Sequence, residues 1–263
     1  DEENPVTNLD GLKNLVSVHC DLTITAAYTG ETLAGLENLT ACESLRIGSA
    51  AHPNETLRQL SLPALKEVKG ALCICGTALQ TADFKSLQNV AGHFVLQSDA
   101  LLQLTADELT SVAGNMTLVG TTADAAKAPC EQMYFPKLQR IDGALILSRF
   151  DRLSGLGTTF GVLTQAGALR YEHLALANTF EFPLIGTTGD ITVTDCPILR
   201  SVLLPALTDA GSLEITGCPA IETLSFPKAV RFDGDVSLAT LPAIKDFGEF
   251  LPALKAISGD LSI

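Results

Sequence analysis

The sequence predicts a mainly β fold: a right-handed parallel β-solenoid of about eleven coils, each 22–24 residues long. Two observations predict it. A glycine followed by large apolar residues at positions +2 and +4 returns once per coil, usually after a Leu/Phe-Pro-x-Leu phrase. No copy contains the run of about ten helical-period residues that a regular α-helix needs. Repeats this short, held over the whole chain, indicate coils stacked along one axis.

Each coil is expected to contain a short strand that begins just after the glycine. Apolar residues at +2 and +4 alternate with other residues, which is typical of a strand with one buried face. The glycine indicates a tight bend, and the proline of the preceding phrase indicates a corner. A short capping helix is expected around residues 8–15. The registering glycines are Gly70, Gly92, Gly114, Gly143, Gly167, Gly189, Gly211, Gly234 and Gly259, and Cys20 and Glu43 take this place in two earlier copies.

Composition restricts the function of the chain. With 263 residues, 46% of them hydrophobic, the chain can bury a large core, so we expect residues 1–263 to form one elongated domain. A net charge of −13 and the lack of a Lys/Arg cluster argue against nucleic-acid binding. No stretch reaches the roughly 20 apolar residues of a membrane span. The chain starts at Asp1 and ends within a repeat, so we expect a domain trimmed at both ends, with any membrane association made through a removed anchor.

The seven cysteines favour an oxidising compartment. Cys196 and Cys218 occupy matching Cys-Pro phrases one repeat apart, and Cys20 and Cys42 are also 22 residues apart. Matching positions in a parallel stack lie about 4.8 Å apart, within the range of a disulfide. We therefore expect Cys196–Cys218 and Cys20–Cys42 disulfides, and at most one more among Cys73, Cys75 and Cys130. Reduced, buried cysteines acting as small apolar residues are the alternative.

Three Asn-x-Ser/Thr triplets, at Asn38, Asn54 and Asn115, are candidate N-glycosylation sites. Such triplets also occur by chance. Together with the cysteines they favour an extracellular protein, on the cell surface or in a cell wall.

The repeated phrase Phe-Pro-x-Leu-x-x-Ile-x-Gly-x-Leu-x-Ile, as in residues 135–147, resembles the receptor L domain. That family is the leucine-rich β-solenoid of the insulin and epidermal growth factor receptors and of fungal GPI-anchored cell-wall proteins. The resemblance covers residues 9–263 and is cleanest over residues 182–234. It implies an extracellular recognition or wall-associated module, with a GPI anchor as in the fungal members, and it carries over no catalytic residues. The cysteine-rich modules and the kinase of the receptors are absent from this sequence.

Candidate catalytic and metal-binding residues do not form recognisable patterns. The four histidines, at positions 19, 52, 93 and 173, share no ligand spacing, and Cys73-Ile74-Cys75 has no second pair to complete a zinc site. The outward strand positions +3 and +5 carry no cluster of acids. We therefore expect no enzyme, metal or cofactor. A polysaccharide-active β-helix enzyme and an ice-binding protein remain alternatives, the latter because Thr192, Thr194 and Thr216 form a short, broken row.

Two features suggest where a partner would bind. The outward residues Cys73, Cys75, Val95, Val119 and Ile146 lie on successive coils and form one weakly apolar patch, a common mark of a binding face. Two long insertions, between residues 43 and 70 and between residues 114 and 143, follow the strand at the same edge. They and a nearby segment give the edge candidates His52, Asn54, Lys127, Arg149 and Arg152. Drift in the length of surface loops would also explain the insertions.

The sequence thus favours a non-enzymatic extracellular recognition or adhesion module that binds a protein or a cell-wall polysaccharide. A purely structural spacer of a wall or coat is the closest alternative. The two differ in one respect, because only a recognition module should lose binding when the sheet face is changed.

Overall fold

The computed structural model describes residues 5–120, 129–150, 152–153, 159–244 and 250–263. It is nearly all β, with parallel sheets stacked as a β-solenoid of about ten turns, which confirms the fold class. A single turn of 3-10 helix at Asp10–Leu12 lies in the segment where a capping helix was expected. The structure contains no helix in these ranges that is long and apolar enough to cross a membrane.

In the described residues the principal sheet has 16 strands, all paired in parallel, and eleven of them, one from each coil, stack side by side along the solenoid. We call these eleven strands the main ladder. Their spacing along the chain is the repeat read from the sequence. With strands numbered in chain order, they are β2 (Leu22–Ile24), β4 (Leu45–Ile47), β7 (Leu72–Cys75), β10 (Phe94–Gln97), β13 (Met116–Val119), β15 (Arg140–Ser148), β16 (Gln165–Glu172), β18 (Ile191–Thr194), β21 (Leu213–Thr216), β24 (Val236–Ala239) and β26 (Leu261–Ser262).

Two further sides complete each coil. Short strands precede the glycine bend: β1 (Ser17–Val18), β3 (Ala41–Cys42), β6 (Glu67–Val68), β9 (Asn89–Val90), β12 (Ser111–Val112), β20 (Asp209–Ala210), β23 (Arg231–Phe232) and β25 (Ala256–Ile257). Strands after the main ladder form the second side: β5 (Gln59–Ser61), β8 (Thr81–Asp83), β11 (Gln103–Thr105), β14 (Gln132–Tyr134), β17 (Thr179–Glu181), β19 (Ser201–Leu203) and β22 (Thr223–Ser225). The proline phrases lie in the turns between the second side and the next bend.

The register within the main ladder is the one that the repeat predicts. Leu72 pairs with Leu45 on one side and with Phe94 on the other, and all three side chains are fully buried. The residues at +2 and +4 of successive glycines therefore form two continuous apolar rows in one core. Since a one-residue slip would turn both rows outward, this burial fixes which side chains face solvent.

Most of the registering glycines lie at a bend, as expected, but a left-handed backbone is not what requires glycine there. Among the glycines, positive φ occurs at Gly35, Gly48 and Gly217, and none of these registers a coil. Instead, the bends of neighbouring coils stack closely, and the N–H of Gly189 donates to the carbonyl of Gly167 at 2.9 Å. A Cβ at Gly189 would lie 2.2 Å from that same carbonyl oxygen. The glycine is needed because there is no room for a side chain between coils.

Among the described residues, one buried side-chain polar group, the hydroxyl of Tyr171, lies in the core without a hydrogen-bond partner. Tyr171 is fully buried and packs edge-on against Phe180, with ring centroids 4.4 Å apart. Its hydroxyl has no hydrogen-bond partner within the described residues. Burial raises the pKa of this phenol well above its usual value.

We expect Tyr171→Phe to stabilise the protein by about 1 kcal/mol, because it removes a buried hydroxyl that makes no hydrogen bond and keeps the ring. Chemical denaturation followed by circular dichroism measures the change. Tyr134→Phe is the matched control, since Tyr134 is exposed and should show little effect. A loss of stability in Tyr171→Phe would mean that the hydroxyl has a partner and would contradict this account.

Candidate functional site

The outward face of the main ladder carries two rows of side chains. The +3 row runs Arg46, Cys73, Val95, Thr117, Ile146 and Arg170 over six successive strands, each residue paired in register with the next. The +5 row runs Cys75, Gln97, Val119, Ser148 and Glu172. The structure therefore brings the predicted patch residues onto one face in the expected order.

The patch is less open than the sequence suggested. Cys73, Val95, Val119 and Ile146 are half-buried, whereas Cys75 is only 7% exposed. Cys75 lies at the end of β7, where the N–H of Asn54 donates to its carbonyl at 2.9 Å. The chain leaving the first insertion therefore packs beside Cys75. The available surface consists of the other four residues.

The four central coils present no charge on this face. Their +3 and +5 residues are Cys73, Cys75, Val95, Gln97, Thr117, Val119, Ile146 and Ser148, of which Cys75 and Ser148 are buried. Charged residues do occur on the neighbouring parts of these rows, at Arg46, Arg170 and Glu172, but at none of the six accessible positions of the four central coils. Because charged residues are depleted at the cores of interfaces, this stretch favours contact with a partner.

The edge candidates do not form one cluster. His52 is exposed in a turn after β4, closed by a hydrogen bond from the N–H of Ser49 to the His52 carbonyl at 2.9 Å. Arg149 follows β15, four strand pairings further along the same edge. Arg152 pairs with Glu131 at 2.9 Å. Lys127 lies outside the described residues. The described side chains among these candidates are therefore spread apart rather than gathered at one place, and most of the second insertion, residues 121–128, lies outside the described residues.

Asn54 corrects two predictions. It is fully buried, its side-chain amide donates to the carbonyl of Tyr28 at 2.8 Å, and its side-chain oxygen accepts from the N–H of Leu57 at 2.7 Å. The amide nitrogen that a glycan would need is therefore enclosed, and Asn54 cannot contact a partner. Its role is to hold the chain where the insertion rejoins the coil. This burial could not be predicted from the sequence, because an Asn-x-Thr triplet is typical of an exposed glycosylation site.

The other two sequons are accessible. Asn38 is exposed and its amide donates to the carbonyl of Lys13 at 2.7 Å. Asn115 is half-buried, and its side-chain oxygen accepts from the N–H of Ala144 at 3.0 Å. Glycosylation at these two positions stays a prediction.

The cysteines are all free thiols in the structure. Cys20 and Cys42 lie on neighbouring coils, where the Cys20 carbonyl accepts from the N–H of Glu43 at 3.3 Å, but they do not occupy equivalent positions, which argues against the predicted pairing. Cys42 is buried and pairs in register with Val18, whereas Cys20 is exposed. The first two coils are offset by 24 residues at this strand, rather than by the 22 that the disulfide requires. Equal spacing in sequence therefore did not mean equal position in the coil.

Cys196 and Cys218 do occupy equivalent places. The preceding residues Thr194 and Thr216 pair in register, and both cysteines are fully buried. A hydrogen bond between the two thiols, together with burial, raises the pKa of Cys196. Burial likewise raises the pKa of Cys130 to about 12 and that of Cys42 to about 11. The hydrogen bond with Cys196 lowers the pKa of Cys218, so Cys218 is the thiol of this pair that would supply the attacking thiolate in disulfide formation.

Peptide mapping of natively produced protein, digested without reducing agent, tests the cysteine assignment. We expect a Cys196–Cys218 linkage and no Cys20–Cys42 linkage, because only the first pair is in register. Finding all seven thiols free would contradict both the linkage and an extracellular location.

One feature of this edge was missed by sequence reasoning. The residue after the main-ladder strand adopts a left-handed conformation in successive coils, with φ of 62° at Arg149, 54° at His173, 52° at Asp195, 65° at Gly217 and 59° at Thr240. His173 and Asp195 are exposed, with Nδ1 of the histidine 3.5 Å from the carboxylate. Four of the five residues are not glycine, so the usual sequence signal of positive φ was lacking. The described residues contain no group of three or more His, Cys, Asp or Glu side chains placed to hold a metal ion.

Comparisons with known proteins give no match: no family model, no curated protein and no solved structure is significantly similar to this chain.

Proposed function

We propose that this protein is a non-enzymatic extracellular or cell-surface recognition module of the receptor L-domain type, and that the outward face of the main ladder binds a protein partner. The observation that carries the proposal is the uncharged face of four consecutive coils, with Val95, Val119 and Ile146 half-buried at its centre. A partner there would cover apolar surface that water now contacts.

The scaffold supports this assignment. The strands beneath the face are paired on both sides, and the opposite faces of the same strands are buried in the core. A rigid platform loses little conformational entropy on binding. The extracellular location rests on the accessible sequons at Asn38 and Asn115 and on the registered cysteine pair, and the resemblance to L domains agrees with it.

The double variant Val119→Lys, Ile146→Glu tests the proposal. Both side chains point away from the core, so the fold should be kept, while association should weaken by about 1–3 kcal/mol if these residues are central to the interface. Binding to partners captured from extracellular and cell-wall fractions, quantified with purified protein, measures the change. Circular dichroism verifies that the variant is folded.

The matched control is Gln103→Lys, Gln132→Glu, which places the same two charges on exposed, adjacent residues of the second side. Partners that are lost by the first variant and kept by the control support the proposal. Equal binding by both variants and the unmodified protein would contradict it and favour a structural spacer.

A further inference from the structure

Two arginines lie at the ends of the uncharged stretch. In the +3 row, Arg46 pairs in register with Cys73 at one end, and Arg170 pairs with Ile146 at the other. Both arginines are exposed. Between them, four successive residues carry no charge. The face is therefore apolar or neutral in the middle and carries an exposed arginine at each end.

The two arginines differ in what they contact. Arg46 lies 3.7 Å from Asp21, with both side chains about half exposed. An exposed ion pair of this kind contributes little stabilisation, so a carboxylate of a partner could replace Asp21 with only a small loss of free energy. Arg170 makes no ion pair within the described residues, although Glu172 lies two residues away on the same strand and Glu214 two strands further along the row. Arg170 is thus a positive group that is available to an incoming carboxylate.

The charge of the rest of the molecule sharpens this pattern. The chain has a net charge of −13, so most of its surface repels an acidic partner. On this face, Arg46 and Arg170 are the groups with which carboxylates of an acidic partner could pair. Complementary charge of this kind sets the orientation and the rate of association more than the affinity.

The register also gives the distance between the charges. Five strand spacings of about 4.8 Å separate Arg46 from Arg170, or roughly 24 Å along the solenoid axis. An α-helix covers this distance in about 16 residues. Building on the proposed function, we propose that the face binds a protein segment that lies along the solenoid axis, is apolar in its middle and carries acidic residues near both ends. A helix of this length fits the spacing.

A peptide selection tests the inference. A display library of helical peptides of about 20 residues is selected on the unmodified protein and counter-selected on the Val119→Lys, Ile146→Glu variant. We expect enriched peptides to have acidic residues near both ends. Their affinity should fall about tenfold on Arg170→Glu, by less on Arg46→Glu because Asp21 already pairs there, and should weaken as salt is raised.

Two controls distinguish specific pairing with Arg46 and Arg170 from a general effect of net charge. Arg200→Glu makes the same change in net charge away from the face, beside Glu222, and should leave affinity unchanged. A peptide with lysine in place of the acidic residues at the Arg170 end should bind Arg170→Glu better than the unmodified protein. Reciprocal rescue of this kind is not expected from a variant that has merely lost structure.

The remaining outcomes overturn the inference in different ways. In one outcome, the selected peptides depend on Val119 and Ile146 for binding but lack acidic ends; in another, they bind both arginine variants with unchanged affinity. Either result would contradict the proposed charge pattern and still support the binding face. Peptides that also bind the Val119→Lys, Ile146→Glu variant with unchanged affinity would contradict the proposed function as well. In a further outcome, isolated wall polysaccharide binds in a way that depends on Val119 and Ile146 but not on the arginines. That result would mean that the ligand of this face is a glycan and not a protein segment.

Discussion

Leu213→Asp is expected to unfold the C-terminal coils. Leu213 is fully buried between Ile191 and Val236 in the main ladder. Neither neighbour has a polar side chain that could pair with a carboxylate. The buried charge should therefore lower the free energy of unfolding by at least about 4 kcal/mol. Since whole domains are stable by only about 5–15 kcal/mol, this is a large fraction of the total.

Denaturant unfolding and limited proteolysis together measure this effect. In a solenoid each coil contacts only its neighbours, so cleavage should begin in residues 190–240 and leave the N-terminal coils protected. Glu214→Asp is the control, because it places the same side chain one residue later, on the outward face, where Glu214 is exposed. Equal stability of the two variants would mean that position 213 is not in the core.

Gly189→Ala is expected to cost about 2 kcal/mol although it adds a single methyl group. The Cβ would meet the carbonyl oxygen of Gly167 at 2.2 Å, and that oxygen is held by a hydrogen bond from the N–H of Gly189. Because the obstacle is backbone rather than a flexible side chain, it can move away only by separating the coils.

Gly186→Ala provides a close control for this experiment. A Cβ at Gly186 meets nothing within 4 Å, and its φ is not positive. Gly186→Ala should leave the stability unchanged, or raise it by roughly 0.5 kcal/mol because alanine makes the unfolded chain less flexible. If the two alanine variants melt at the same temperature, close stacking of the bends is not the reason for the glycine.

The repeat carried enough information to predict the architecture and the direction of most side chains. Leu72, Ile74 and their equivalents were assigned correctly because alternation over many copies leaves one register possible. The same reasoning placed Val95 and Ile146 outward. It failed where single coils depart from the average: Cys42 lies beside Val18 because the first coils are offset differently, and Asn54 is buried by an insertion with no counterpart in other coils.

The candidate face was only partly visible in the sequence. Its apolar residues were found from their position in the repeat. The burial of Cys75 was missed because it depends on how the first insertion packs, and the left-handed turns at Arg149, His173, Asp195 and Thr240 were missed because local sequence seldom specifies them in residues other than glycine. Contacts between one coil and an irregular neighbour are outside what a periodic pattern can predict.

The constant register has an evolutionary consequence. Ile191 pairs with both Leu169 and Leu213, each 22 residues away, so the three coils are interchangeable in their core rows. Loss of one such unit would bring Leu213 opposite Leu169 with the apolar rows intact, and duplication would lengthen the stack by about 4.8 Å. The separation of two surface groups on different coils, such as Arg46 and Arg170, can therefore change in fixed increments through gain or loss of whole repeats, without any redesign of the cross-section.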